Sequence, residues 1–161
     1  MSDSILVRHA RDDDGPGLIR LIGDVFAEYP GCVLDVDGEL PELRSIATAF
    51  AAMGGQFWVA ELGATIVGSV GWTPTGEHAV IELRKLYVAR ASRRRGLGNT
   101  LCQQIEQAAR DSAARAIELW SDTRFIDAHR LYAKRGYVRG DATRDLHDKS
   151  HTTEFSFRLS F

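Results

Sequence analysis

The run Arg93-Arg94-Arg95-Gly96-Leu97-Gly98 brings three guanidinium groups and two glycines to the junction between a strand-like stretch, AVIELRKLYV, and a helix-like one that begins at Leu97. A helix start leaves backbone N–H groups without intrahelical partners, and the helix dipole makes that end attract anions. Glycine lets the backbone come close to a phosphate, and arginines beside it add charge-assisted hydrogen bonds. The chemistry this spacing serves is the grip of a diphosphate. Taken alone, the run also reads as a solvated basic loop; the strand before it, the paired glycines and the long helix after it favour the anion site. Two other phosphate signatures are absent, since no Gly-Lys-Ser/Thr follows and Leu101 stands where G-x-G-x-x-G needs a glycine.

The elements that must position this turn can be read from hydrophobic period. Ile5–Arg8 reads as a short strand. Acidic cap candidates at Asp12–Asp14 then precede apolar residues at helical spacing, Leu18, Ile22, Val25 and Phe26. PGCVLDVDGEL reads as a loop, and PELRSIATAFAAM as a second helix with Pro41 at its start and Gly54-Gly55 at its end. QFWVAEL, TIVGSVGWT and AVIELRKLYV are three successive strands, rich in β-branched and aromatic residues. Leu97–Ala114 carries Leu97, Leu101, Ile105 and Ala108 on one stripe of a helix. AIELWS is a fifth strand, FIDAHRLYAKRG a further helix, and TEFSFRLSF a last alternating strand. The order β-α-α-β-β-β-α-β-α-β implies an α+β (α/β) fold with a mostly antiparallel first half.

Bulk properties narrow the field. The 161 residues, 44% of them hydrophobic, suffice for one domain with a core, and one domain over residues 1–161 is expected. A formal net charge of −2 gives no global positive field for nucleic acid or an anionic membrane. Cys32 and Cys102 form neither a disulfide framework nor a zinc spacing and fit a reducing cytoplasm. The acidic amino terminus is unlike a signal peptide, and no apolar run approaches the ~20 residues that span a bilayer. His147 and His151 lie in a stretch that reads as a solvated loop, so no metal is expected. His129 reads as a surface or cofactor-adjacent residue, and Trp58, Trp72 and Trp120 as core. VGSVG at 67–71 is not a nucleophile elbow.

Arg93, Gly96 and Gly98, five residues and more past LYV, resemble the R-x-x-G-x-G acyl-CoA-binding motif of the GNAT superfamily of N-acetyltransferases. The resemblance covers nearly the whole chain and is strongest from Ala79 to Tyr137. It implies a mixed, mostly antiparallel central sheet flanked by helices and splayed at the acyl-CoA site, with acetyl-CoA as co-substrate. It further implies that Leu86, Tyr87 and Val88 meet the pantetheine arm, that Arg93, Arg94, Arg95, Gly96, Leu97, Gly98, Asn99 and Thr100 hold the diphosphate, and that Ala128 borders the cofactor.

Amine attack on a thioester needs a neutral nucleophile, an oxyanion donor and a proton for the thiolate. Glu82 lies an even number of residues from Leu86 and Val88, so a regular strand puts the three on one face, a parity that a bulge would break. The resemblance makes Glu82 the general base; a strand carboxylate paired with Arg84 or Lys85 is the alternative. AHRLYAKRGY resembles the family's A-x-x-L-Y-x-x-x-G-F segment and makes Tyr132 the general acid, with the Leu86 N–H as oxyanion donor. The family's usual asparagine is replaced by Phe125, with Ser121, Asp122 or Thr123 as substitutes.

No Lys or Arg occurs from Leu21 to Leu43, whereas Asp24, Glu28, Asp35, Asp37, Glu39 and Glu42 do. This acidic stretch suggests a small cationic amine, or a peptide or protein amine, as acceptor. The competing class is a non-catalytic acyl-CoA sensor or partner-binding module on the same fold. A homodimer is compatible with the sequence; nucleic-acid and membrane partners are not expected.

Overall fold

Three consecutive strands, β2 (Gln56–Leu62), β3 (Thr65–Pro74) and β4 (Val80–Val88), form an antiparallel meander, and β1 (Ile5–His9) adds to the outer edge of β2. β5 (Ala116–Asp122) runs parallel to β4. With β6 (Val138–Asp145) and β7 (Thr153–Ser160) the sheet has seven strands in the order β1-β2-β3-β4-β5-β7-β6. The structure is a computed structural model and describes residues 4–161. Residues 1–3, part of the acidic start, lie outside the described residues.

One face of the sheet is covered by α1 (Gly15–Phe26), α2 (Val36–Glu39) and α3 (Ile46–Ala52), the last led in by a 3-10 turn at Pro41–Ser45. Leu18, Ile22, Leu43, Ile46 and Phe50 pack there on Phe57, Val59 and Ile66. The other face is covered by α4 (Leu97–Asp111) and α5 (Ile126–Lys134). The predicted stripe Leu97, Leu101, Ile105 and Ala108 is buried against Val70, Ile81, Leu83, Ile117 and Leu119.

Three elements differ from the sequence reading. The second helix, expected to start at Pro41, is a 3-10 turn over Pro41–Ser45 and α-helical only over Ile46–Ala52. α2 is a single turn inside the expected loop, with Asp35 as its cap accepting from the Gly38 N–H. β6 is a strand where none was expected. Its eight residues, VRGDATRD, are all exposed, so no apolar face announces it. Pairing with β7 holds it, as do Arg139, stacked 3.5 Å from the Phe155 ring centroid, and Arg144, stacked 4.3 Å from that of Trp120.

The feature that shapes the site is the junction of β4 and β5. They pair only where Val80–Glu82 faces Ala116–Glu118 and then part, which leaves the β5 side of β4 without a strand partner beyond Glu82. This is the open, splayed sheet that the resemblance implied.

Candidate active site

β4 carries a bulge at Lys85. Gly71 is opposite Arg84 and Ser69 opposite Tyr87, so two β4 residues oppose Val70 alone; Lys85 has φ 55°, and Ser69 Oγ donates to its carbonyl at 2.8 Å. The consequence is a reversal of faces. Leu83 before the bulge, and Leu86 and Val88 after it, all pack on the α4 side, whereas Tyr87 packs on the α1 side. Glu82, next to Leu83, therefore does not share a face with Leu86 and Val88. The expected parity is corrected: the bulge lets one strand serve the two sides of the sheet with separate groups.

On the α4 side, a groove of 450 Å³ runs between the end of β4 and α5. It gathers Leu86, Tyr87, Val88, Arg93, Arg94, Gly96, Leu97, Gly98, Asn99 and Ala128. Arg95 and Thr100 are not on its wall; Arg95 is exposed, and Thr100 Oγ1 turns back to the Gly96 carbonyl at 3.1 Å. At the head of α4, Gly96 adopts φ 77°, a left-handed conformation that side chains resist, with open space where a Cβ would stand. The N–H groups of Leu97, Gly98 and Asn99 in the first turn have no carbonyl one turn earlier to bond. A methyl at Gly98 would come within 2.9 Å of Leu131 Cδ2, so that glycine lets α5 close on α4. An apolar floor of Leu86, Val88, Ala128 and Leu131, leading to unbonded amides and cations, fits a pantetheine chain and its diphosphate.

The arginines divide their work in a way the sequence does not reveal. Arg93 is bound to Glu28 through two bonds of 2.6 and 2.7 Å and to the Val88 carbonyl at 3.1 Å. Its guanidinium thus holds the turn against the end of α1 while still lining the groove. Asn99 Oδ1 likewise accepts from Arg135 at 3.1 Å. Arg94 is exposed at the groove, joined there by Arg130 and Lys134 of α5, two cations the sequence reading missed although their i, i+4 spacing marks one helix face.

On the other side lies a cavity of 560 Å³, whose wall includes Glu82, Arg84, Lys85, Trp120, Tyr132 and Arg144. It meets the groove at Leu86, Tyr87, Phe125 and Ala128, which line both. The half-buried Glu82 carboxyl titrates above its ordinary value: burial drives the shift, Arg84 and Arg144 oppose it, and Glu118 and Glu154 add to it. Its contact with Arg84 is long, 3.9 Å. Tyr132 is 4% exposed and packed between Tyr137 and Phe157, and burial holds its hydroxyl proton far more tightly than in water.

The acetyltransferase (GNAT) family model matches residues 22–137, the stretch that contains both the groove and the cavity. The chain belongs to the acetyltransferase (GNAT) family. Among relatives, the uncharacterized N-acetyltransferase YjgM of Escherichia coli K12 is 30% identical over 142 residues, 86% of this chain and 84% of that protein. N-acetyltransferase 8B of Rattus norvegicus is 34% identical over 129 residues, 77% of this chain but 56% of that longer protein. The fold is shared with a GNAT-family acetyltransferase from Staphylococcus aureus Mu50 at TM-score 0.81 and 22% identity, covering 96% of this chain and 98% of that one. It is also shared with the PaiA N-acetyltransferase of Thermoplasma acidophilum in complex with coenzyme A, at TM-score 0.75 and 16% identity, covering 98% and 99%.

In this GNAT chain the acidic stretch carries less free charge than its sequence suggests. Asp35 pairs with Lys149 at 2.8 Å, Asp37 with Arg44 at 2.9 Å, Glu42 with Lys85 at 2.8 Å, and Glu28 with Arg93. Its partners come from outside the segment, which is why the local composition misleads. Phe125 sits among Phe26, Tyr29 and Tyr87 at ring separations of 4.8 to 6.4 Å, an aromatic wall in place of the family's usual amide. Of the three substitutes, Ser121 and Asp122 line the cavity and Thr123 does not; Asp122 is held by Arg124, and Ser121 Oγ by His129 Nε2 at 3.1 Å. His129 is half-buried against Phe155 and Phe157. Trp58 is core as expected, whereas Trp120 is cavity wall. His147 also lines the cavity, and among the described residues no group of three or more His, Cys, Asp or Glu side chains could hold a metal ion. No helix there is long and apolar enough to cross a membrane.

Proposed function

We propose that this protein transfers the acetyl group of acetyl-CoA to a primary amine by direct attack, with the thioester delivered through the groove and the amine through the cavity. The observation that carries the reading is the meeting of the two spaces at Leu86, Tyr87, Phe125 and Ala128, where β4 and β5 have parted. The coenzyme A bound by PaiA and the acetyl-CoA bound by YncA of Salmonella typhimurium, both of this fold, support the choice of acyl donor.

Acetyl-CoA supplies an activated acyl group that an uncharged amine can attack. Amides at the start of α4, with Arg94 and the α5 cations, hold its diphosphate, and the unpaired edge of β4 offers backbone groups to its amide-containing arm. Glu82, whose carboxyl titrates above its ordinary value, takes the amine proton directly or through water, and the Leu86 N–H stabilises the oxyanion. As the new C–N bond forms and the C–S bond breaks, Tyr132 returns a proton to sulfur. Burial favours the protonated form of its hydroxyl, the form from which a proton can be given.

The test is release of free thiol on mixing purified protein with acetyl-CoA and an amine panel, with the product identified by a mass gain of one acetyl group. Turnover of at least one amine is expected. Binding of coenzyme A with no turnover across the panel would replace this reading with a sensor.

A further inference from the structure

Resting on the acetyl-transfer reading, we infer that the acceptor is an amine that also bears a nearby carboxylate, an amino-acid-like zwitterion, with Arg84 as the residue that recognises the carboxylate. The charges that line the cavity are mostly spent on neighbouring groups. Among its lining acids, Glu154 is paired with Arg144 at 2.8 Å, and Asp122 is held by Arg124 through bonds of 2.8 and 2.9 Å. Asp148 accepts from the backbone and hydroxyl of Thr152, both at 2.8 Å, and Glu39 accepts from the Lys149 N–H at 3.2 Å. Among its lining cations, Lys85 is bound to Glu42 and Arg144 to Glu154.

Arg84 is different. Among the described residues its nearest carboxylate is Glu82, at a separation of 3.9 Å that is too long for a hydrogen bond, and its one donor contact is a weak one to Met53 Sδ at 3.6 Å. The side chain is 31% exposed, and the guanidinium lies over the Phe50 ring, 5.5 Å from its centroid. A positioned guanidinium with unspent donors is a carboxylate receptor. It stands two residues from Glu82 on the same strand, before the bulge, so both side chains project from one face. An ammonium drawn to Glu82 and a carboxylate drawn to Arg84 would meet both charges with one small molecule.

The experiment compares α-amino acids, each matched with the amine left by its decarboxylation, as acceptors for acetyl-CoA in wild type, Arg84→Gln and Arg84→Lys. Wild type is expected to favour the carboxylate-bearing member by about 10- to 100-fold in kcat/KM, the scale of a hydrogen bond to a charged group. Arg84→Gln is expected to collapse that ratio towards one, mainly through a higher KM for the amino acid, and Arg84→Lys to retain part of it. Because any change in Glu82 basicity affects both members alike, the ratio isolates carboxylate recognition. Preference for decarboxylated amines, or a preference that persists in Arg84→Gln, would overturn the inference and leave acetyl transfer standing. Absence of turnover with every member would overturn both.

Discussion

Arg93 and Glu28 face each other fork to fork, with Nη1–Oε1 at 2.6 Å and Nη2–Oε2 at 2.7 Å, and so tie the turn before α4 to the chain just beyond α1. The pair is partly exposed, so its own worth is about 1 kcal/mol. Its neighbour Arg94 has no such partner among the described side chains and faces the groove. The two arginines should therefore separate experimentally. Arg93→Gln is expected to lower the urea midpoint, whereas Arg94→Gln is expected to leave it nearly unchanged and to weaken coenzyme A binding in a salt-dependent way. Calorimetric titration at two ionic strengths, alongside denaturation, reads both. Equal effects of the two substitutions on binding would contradict the division.

Tyr132→Phe removes the hydroxyl and keeps the ring that packs between Tyr137 and Phe157. A fall of about 100-fold or more in kcat is expected with coenzyme A affinity nearly preserved, the usual scale for loss of a positioned acid. Steady-state kinetics with the best acceptor, paired with a binding isotherm, provide the check.

The pH dependence should identify Glu82. Its carboxyl is raised by burial against the lowering influence of Arg84 and Arg144, and a base works only when deprotonated. The kcat/KM profile is therefore expected to rise with pH through a limb displaced above the ordinary value of a glutamate, and Glu82→Gln to lose that limb along with most of the rate. Survival of the same limb in the variant would assign it to another group.

Asp14 offers a stability test away from the site. It is 6% exposed, takes bonds of 2.8 and 2.9 Å from Arg8, and accepts from the Arg11 N–H at 2.7 Å. Burial pushes its pKa upward, but the Arg8 and Arg11 bonds outweigh it and hold the carboxyl below its ordinary value. Folding thus favours the charged form: the contribution is present above the unfolded-state pKa of about 4 and is lost as pH falls through the lower native value. Asp14→Asn is expected to cost about 1 to 3 kcal/mol at neutral pH, with the gap to wild type closing below about pH 4. Urea denaturation at pH 7 and below pH 4 measures it.

The head of α4 was legible because its signals are local: the Gly96 turn, the Leu97 stripe and the preceding strand occupy contiguous sequence. The same holds for the β2–β4 meander and for the segment bearing Tyr132. What escaped is non-local. β6 is built from exposed residues whose partner strand begins eight residues after it ends, so no period betrays it, and Arg144 was lost with it. The bulge at Lys85 rests on Ser69, sixteen residues away, and overturned the parity between Glu82 and Leu86. The acids at 24–42 suggested a negative field because their cationic partners, Lys85, Arg93 and Lys149, stand far along the chain.

The sheet is stitched across its middle by three residue pairs alone, Val80 with Ala116, Ile81 with Ile117 and Glu82 with Glu118. So short a seam makes the β1–β4 half and the β5–β7–β6 half two leaves of a book with a brief spine. A guest threaded between them would lend the missing stitches, and amide protons along the inner margins should then exchange more slowly with deuterium than they do in the empty fold.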